Sequence, residues 1–233
     1  WRQYVTRLMR EEGVIEEQHE PSDDELRRYD QGRKHKRVSN EDWVSATDPE
    51  ARITQLKDGR THLAYKAEHV VDLDSELILA AEIRPADQGD AATLVDRVLE
   101  AQEHLQAAQS DVEIVEVAAD KGYHAAQTLE LADALGLRTY IPEPKLPHQR
   151  VWTDKPADFQ RAVYANRRRM RRAKGKRLGR LRSERVERSF AHVCDAGGMR
   201  RSWLRGLVDV TMRYLIAVAA RKLGRILRKP FGI

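Results

Sequence analysis

The sequence predicts an α/β fold, a mixed β-sheet flanked by helices, with a helical segment ahead of it and a basic helical region behind it. Three observations carry that reading. Between Arg52 and Pro85 the hydrophobic pattern has strand character and is cut by short turns. From Val112 to Ile141 a strand pattern, a helix pattern and a second strand pattern follow one another with short joints. From Arg161 onward the pattern is helical and heavily basic.

Trp1, Tyr4, Val5, Leu8 and Met9 fit one helical stripe over 1–12. Ser22 with Glu25 three residues on is a capping-box pattern, opening a helix over 22–31. The acidic start flips sign at Arg33-Lys34-His35-Lys36-Arg37, which could equally be a solvated linker. Residues 1–50 read as a helical insertion or lead-in, and 51–233 as the main domain.

Arg52, Ile53 and Leu56 before Asp58-Gly59 suggest a hairpin. Thr61 to Asp72 and Leu77 to Ile83 read as further strands about the turn Asp74-Ser75, so 52–84 forms an antiparallel meander. After Gly89-Asp90 a helix of about five turns is expected, with Leu94, Val95, Val98, Leu99 and Leu105 on its apolar face. Val112 to Ala119 reads as a buried strand that ends at Asp120-Lys121-Gly122-Tyr123. A helix through Leu129, Ala132 and Leu135 closes on Gly136, and Leu137 to Ile141 is a strand halted by Pro142 and Pro144. These three form a βαβ unit with parallel strands.

Residues 161–185 hold twelve Arg or Lys and one acid, Glu184. Gly175 and Gly179 are expected to interrupt helix there. A helix from Ser183 to Asp195 would place Val186, Phe190 and Val193 on one face and end at Gly197-Gly198. The last helix, about 202–227, is expected to bury Leu204, Leu207, Val208, Leu215, Ile216, Ala219, Leu223 and Ile226. Its other face would carry Arg205, Arg213, Arg221, Arg225 and Arg228.

The net charge of +5 from 42 basic and 37 acidic residues conceals strong segregation. A single cysteine, Cys194, excludes an intrachain disulfide framework and a Cys-rich zinc site. With no bilayer-length apolar run and no signal-peptide pattern, a soluble, cytoplasmic protein is expected. The chain starts at Trp1 rather than Met, which suggests a fragment or a processed chain.

A carboxylate at the carboxyl end of a central strand is where open α/β sheets place active groups, and Asp120 has that position. A helix cap is the competing role. Glu187 lies among Arg182, Arg185 and Arg188, where a surface ion pair is the ordinary alternative, and Glu184 competes on nearly the same face. His62, His69, His124 and His192 lack zinc-site spacing, and Asp87 and Asp90 suit helix caps.

The order of elements is that of the ribonuclease-H-like fold. Four blocks add a family resemblance: Asp58 to His69 with Asp72; Ala119-Asp120-Lys121-Gly122-Tyr123; Glu187-Arg188-Ser189-Phe190-Ala191-His192; and Gly197 to Arg201 with Leu204 to Leu207. Together, over roughly 40–225, they resemble bacterial insertion-sequence transposases of the DDE type, in the group of the fourth and fifth insertion-sequence families.

The resemblance implies three carboxylates, Asp, Asp and Glu, holding two divalent ions, Mg²⁺ or Mn²⁺, for in-line phosphoryl transfer. Asp120 takes the second Asp role and Glu187 the Glu role, as catalytic and metal-binding residues, close enough to share metal. The family's first Asp lies in an upstream strand with no counterpart here. Asp72 is the internal substitute, and loss of the first Asp by amino-terminal truncation is the main expectation. The isolated chain would then be inactive with Mg²⁺ and prone to self-association. Where the family carries a Lys seven residues after the Glu, this chain has Cys194, with Arg200 or Arg201 as candidates for the charge.

The implied partner is double-stranded DNA, transposon ends and target, gripped by a homodimer. Arg167, Arg168, Arg169, Arg171, Arg172, Lys174, Lys176, Arg177, Arg200 and Arg201 are the expected DNA contacts. The competing functions are an inactive DNA-binding remnant and a related metal-dependent nuclease.

Overall fold

A computed structural model describes residues 2–33, 40, 44–55, 61–146, 148 and 150–231. It forms two compact units, 1–43 and 44–233. Residues 44–50, expected with the lead-in, belong to the second unit. There Asp48 accepts from the Tyr65 hydroxyl (2.8 and 2.9 Å) and from the Gly206 amide at 3.2 Å.

The first unit is a helix pair, α1 (Arg2–Glu11) and α2 (Asp23–Gly32). Val5, Met9 and Leu26 are buried between them. The capping box is formed: the Ser22 side chain accepts from the Glu25 amide, and the Glu25 carboxylate accepts from the Ser22 amide at 2.7 Å. The basic cluster falls at 34–37 outside the described residues.

In the second unit, β1 (Arg52–Gln55), β2 (Thr61–Val71) and β3 (Ile78–Pro85) form the expected antiparallel meander, in the order β1-β2-β3. The Asp58-Gly59 turn lies outside the described residues. Strand alternation sorts β2 onto two faces. Tyr65 and Ala67 join Ile83 and Ala81 against Val193, Val210, Tyr214 and Val218 from the helices beyond. Lys66 and Glu68 face the other way, toward α3 (Leu94–Ala107). That helix is shorter than expected and buries Leu94, Val95, Val98 and Ala101, while Leu99 is exposed.

The βαβ unit is present. β4 (Glu116–Ala118) and β5 (Arg138–Tyr140) pair in parallel around α4 (Ala126–Ala134). Gly136, at φ +75°, ends α4 and lets the Leu137 amide reach the Ala132 carbonyl at 2.9 Å. β4 is far shorter than the predicted Val112–Ala119. Gln102 satisfies the preceding backbone instead of a neighbouring strand: its side chain donates to the Val112 carbonyl (3.1 Å) and accepts from the Ile114 amide (2.8 Å). The mixed sheet is thus realised as two separate ladders among the described residues, β1-β2-β3 and β4-β5.

The basic region forms α5 (Ala157–Arg171) and α6 (Ala173–Phe190). The break falls at Arg172, which is extended (φ −77°, ψ 160°), and not at the glycines. Gly175 lies where the helices touch, since an added Cβ would run into the Arg169 carbonyl and lie 2.8 Å from the Met170 Cα. Gly179 sits within α6 with open space beside it. A π-helical turn, 191–196, continues α6, and Gly198 at φ +68° ends it.

The last helix, α7, runs Leu207–Phe231, and its orientation corrects the expectation. Val210, Tyr214 and Val218 face the meander. Val208 and Ile216, both expected in the core, are 69% exposed, and Leu215, Leu223 and Ile226 are exposed as well. The helix carries two apolar stripes, and the polar anchors choose between them. Arg225 donates to the Ser75 carbonyl at 3.2 Å and pairs with the buried Glu76 at the same distance.

Candidate functional site

Asp120 lies two residues past the carboxyl end of β4, after Ala119, and is exposed. Its Oδ1 accepts from the Lys121 amide at 2.6 Å, capping a single 3-10 turn, Lys121–Tyr123. Helix α4 takes Ala125 as its N-cap, so the competing cap role for Asp120 is confined to that turn.

The turn is anchored from behind. The Tyr123 hydroxyl donates to Glu68 Oε1 at 2.9 Å, crossing from the end of β4 to the middle of β2. Glu68 is 4% exposed and is neutralised by Arg84, itself 2% exposed, while Thr93 donates to both carboxylate oxygens. Arg84 and Lys66 also pair with Asp90. An added Cβ on Gly122 would meet Asp90 Oδ2 at 2.5 Å, so the turn packs directly onto this cluster. Burial, then the Glu68 charge, pushes the Tyr123 hydroxyl pKa well up, which keeps it a donor. The sequence reading missed this network. Strand parity put Glu68 and Arg84 on one face, a signal that was legible.

Glu187 is exposed on α6, where the Ser183 hydroxyl donates to its Oε1 at 3.3 Å. Its competitor Glu184 is spent on Arg188, at 2.6 Å. Helix α6 is clasped at two points beside Glu187. Glu76, 6% exposed at its side chain, pairs with Arg185, with Arg188 at 2.8 Å and with Arg225. Burial alone would raise the Glu76 pKa, but Arg188, Arg225 and Arg185 outweigh it and lower it.

His69 supplies the second clasp. Ser189 Oγ donates to the Val186 carbonyl at 2.7 Å, so it accepts from His69 Nδ1–H at 2.8 Å. His69 Nε2 then accepts from the Tyr214 hydroxyl at 2.8 Å. The ring stacks on Phe190, with centroids 4.1 Å apart and 3° between planes. Burial holds the imidazole neutral, lowering its pKa to about 4.

Asp72 ends β2 and caps the following turn. It accepts from the Ser75 amide at 2.9 Å, the Asp74 amide at 3.3 Å and the Ser75 hydroxyl. Among the described residues, no group of three or more His, Cys, Asp or Glu side chains could hold a metal ion.

The basic residues divide into two sets. Arg167 makes a paired contact with Glu143 (2.8 and 2.9 Å) and lies over the Tyr164 ring. Arg169 donates to the Thr139 carbonyl (2.9 Å) and hydroxyl (3.0 Å), fastening α5 to β5. Lys174 pairs with Glu116 at 2.7 Å, and Arg200 with Asp195 at 2.5 Å. Arg168, Arg171, Arg172, Lys176, Arg177 and Arg201 point into solvent as exposed side chains.

In sequence order the chain thus carries a carboxylate just past a strand, then two basic helices, with Glu187 on the second of them. A family model described as the transposase DDE domain matches residues 17–221. The chain belongs to that family. The DDE domain accordingly has the expected α/β, ribonuclease-H-like architecture, and its family cuts and joins DNA. No curated protein and no solved structure matches the chain. No helix among the described residues of this DDE domain is long and apolar enough to cross a membrane.

Proposed function

We propose that Asp120 and Glu187 are the second and third carboxylates of a DDE site that moves an insertion sequence between double-stranded DNA sites, and that the first carboxylate is not among the described residues. The carrying observation is how the acids are paired. Asp120 and Glu187 are exposed, and among the described residues each is bonded only to a neutral donor of its own segment. Glu184, Glu76, Glu68 and Asp90 are each committed to a cation. Hard carboxylate oxygens left open in this way suit Mg²⁺ or Mn²⁺. Asp120 and Glu187 would help hold such ions, whose chemistry there would be activation of a water or a 3′-hydroxyl and stabilisation of the leaving oxygen.

The chain's own residues hold the two acids in place. The Lys121 amide orients Asp120, Tyr123 ties its turn to β2, and Ser183 steadies Glu187. Asp72 is a turn cap, which argues against a third ligand there. The break between the β1-β2-β3 and β4-β5 ladders is where a strand carrying the first Asp would sit. The same observations favour a second reading, a folded DNA-binding protein without cleavage chemistry. The exposed stripe on α7 supports self-association as a homodimer. Sedimentation of an Ile216→Glu, Leu223→Glu variant would then show monomers, and an unchanged profile removes that surface.

Mn²⁺ titration tests the carboxylates. Asp120→Asn and Glu187→Gln should each weaken Mn²⁺ binding, while Glu184→Gln should not. Unchanged binding in both variants defeats the assignment. Plasmid nicking with Mg²⁺ or Mn²⁺ should stay at background for this chain alone. Efficient nicking abolished by Asp72→Ala would make Asp72 the first carboxylate.

A further inference from the structure

Residues 197–206, between the π-helical turn and α7, present the most exposed large apolar side chain among the described residues, Trp203, at 77%. The loop that carries it is fastened at several points. Arg213 of α7 donates to the Arg201 carbonyl (3.3 Å), the Ser202 hydroxyl (3.4 Å) and the Gly198 carbonyl (3.5 Å). The Leu204 amide donates back to Ser202 Oγ at 3.1 Å. At the far end, the Gly206 amide reaches Asp48 at 3.2 Å and the Leu207 amide reaches Glu50 at 2.5 Å. Gly206, at φ +78°, makes the turn that allows both contacts.

The indole itself is held from one side. The Arg213 guanidinium carbon lies 3.4 Å from its ring centroid, a close cation–π contact. The opposite face is open to solvent. A Trp left outside the core forgoes the stabilisation that burial would bring. Fixed in place, however, it loses little entropy when a partner covers it. Arg201 and Arg205 are exposed on the same loop, a setting that favours an anionic partner. Open π-face and flanking cations together match a nucleic-acid strand, with bases stacking on aromatics and phosphates meeting arginines.

We infer that Trp203 is a stacking platform for an unpaired or terminal base of a DNA strand, with Arg201 and Arg205 on the adjoining phosphates. The inference rests on the DNA reading above and adds to it a preference for strand ends over continuous duplex. Such a platform would engage DNA where the two strands are parted, as cutting and joining require.

Fluorescence anisotropy of the full chain tests it with two probes: a duplex closed by hairpins at both ends, and the same duplex with a short single-stranded overhang. Wild type should bind the overhang probe more tightly. Trp203→Ala should weaken that binding roughly 5- to 150-fold, the range for one base–aromatic stack, and should leave the closed duplex unchanged. Trp203→Phe should keep most of the preference. The melting temperature of Trp203→Ala should fall by at most about 4 °C, the loss of one cation–π contact, since the side chain is largely in water. Equal loss on both probes, or no loss on either, overturns the platform. Wild-type binding to the closed duplex without an overhang preference defeats this inference alone, whereas binding to neither probe defeats the DNA reading along with it.

Discussion

Acid should loosen this domain through His69. The imidazole is half-buried between β2, α6 and α7, donating to Ser189 and accepting from Tyr214, with its pKa lowered from 6.5 to about 4. The unfolded chain therefore takes up this proton first. The stability conferred by the neutral ring is complete above pH 6.5, declines as pH falls toward 4, and declines no further below that. The full difference is worth about 3 kcal/mol at ~1.4 kcal/mol per pKa unit, and about 2 kcal/mol of it is lost by about pH 5. Urea unfolding at a series of pH values from about 8 to 5 should compare wild type with His69→Gln, whose amide offers one donor and one acceptor without titrating. The variant should be less stable near pH 8, for want of the Phe190 stack, and the gap should narrow by about 2 kcal/mol on acidification. Carboxylates common to both proteins cancel in the difference. Parallel curves over that range would refute a neutral His69 in this setting.

The two sets of arginines should separate in one experiment. Replacing exposed Arg168, Arg171 and Arg172 with Ala should weaken binding to unrelated DNA sequences and lower the log–log salt slope by roughly 2–3, with stability intact. Replacing Arg167 and Arg169 should instead lower the unfolding midpoint; a larger salt-slope change from this pair would reverse the division. Glu76→Gln leaves Arg185, Arg188 and Arg225 without their shared carboxylate, and urea unfolding should show a loss of about 3–5 kcal/mol. A loss under about 1 kcal/mol would class the cluster with ordinary surface pairs. Gly175→Ala should destabilise by about 1–3 kcal/mol through collision with α5, while Gly179→Ala should stabilise by up to about 1 kcal/mol. Equal effects in thermal melts would contradict the helix corner at Arg172.

The sequence by itself determined what lies within a few residues. The Ser22–Glu25 box, the meander, the βαβ unit closing on Gly136, and Asp120 at a strand exit were all legible, because periodicity and turn chemistry are local. Glu184 and Glu187 differ by a contact the helix register already offers, since Arg188, four residues on, takes Glu184. The arginine run is different. Nothing in the string marks Arg167 and Arg169 as struts, because Glu143 and Thr139 lie far away in sequence. Val112 to Val115 have strand composition, yet only pairing makes a strand, and Gln102 takes their backbone instead. On α7 the apolar residues outnumber the positions the meander can cover. Which stripe is buried was decided by where Arg213 and Arg225 find their acceptors. Local chemistry wrote the elements, and long-range polar contacts, whose cost when unmet is large, set how those elements were turned and which charges stayed exposed.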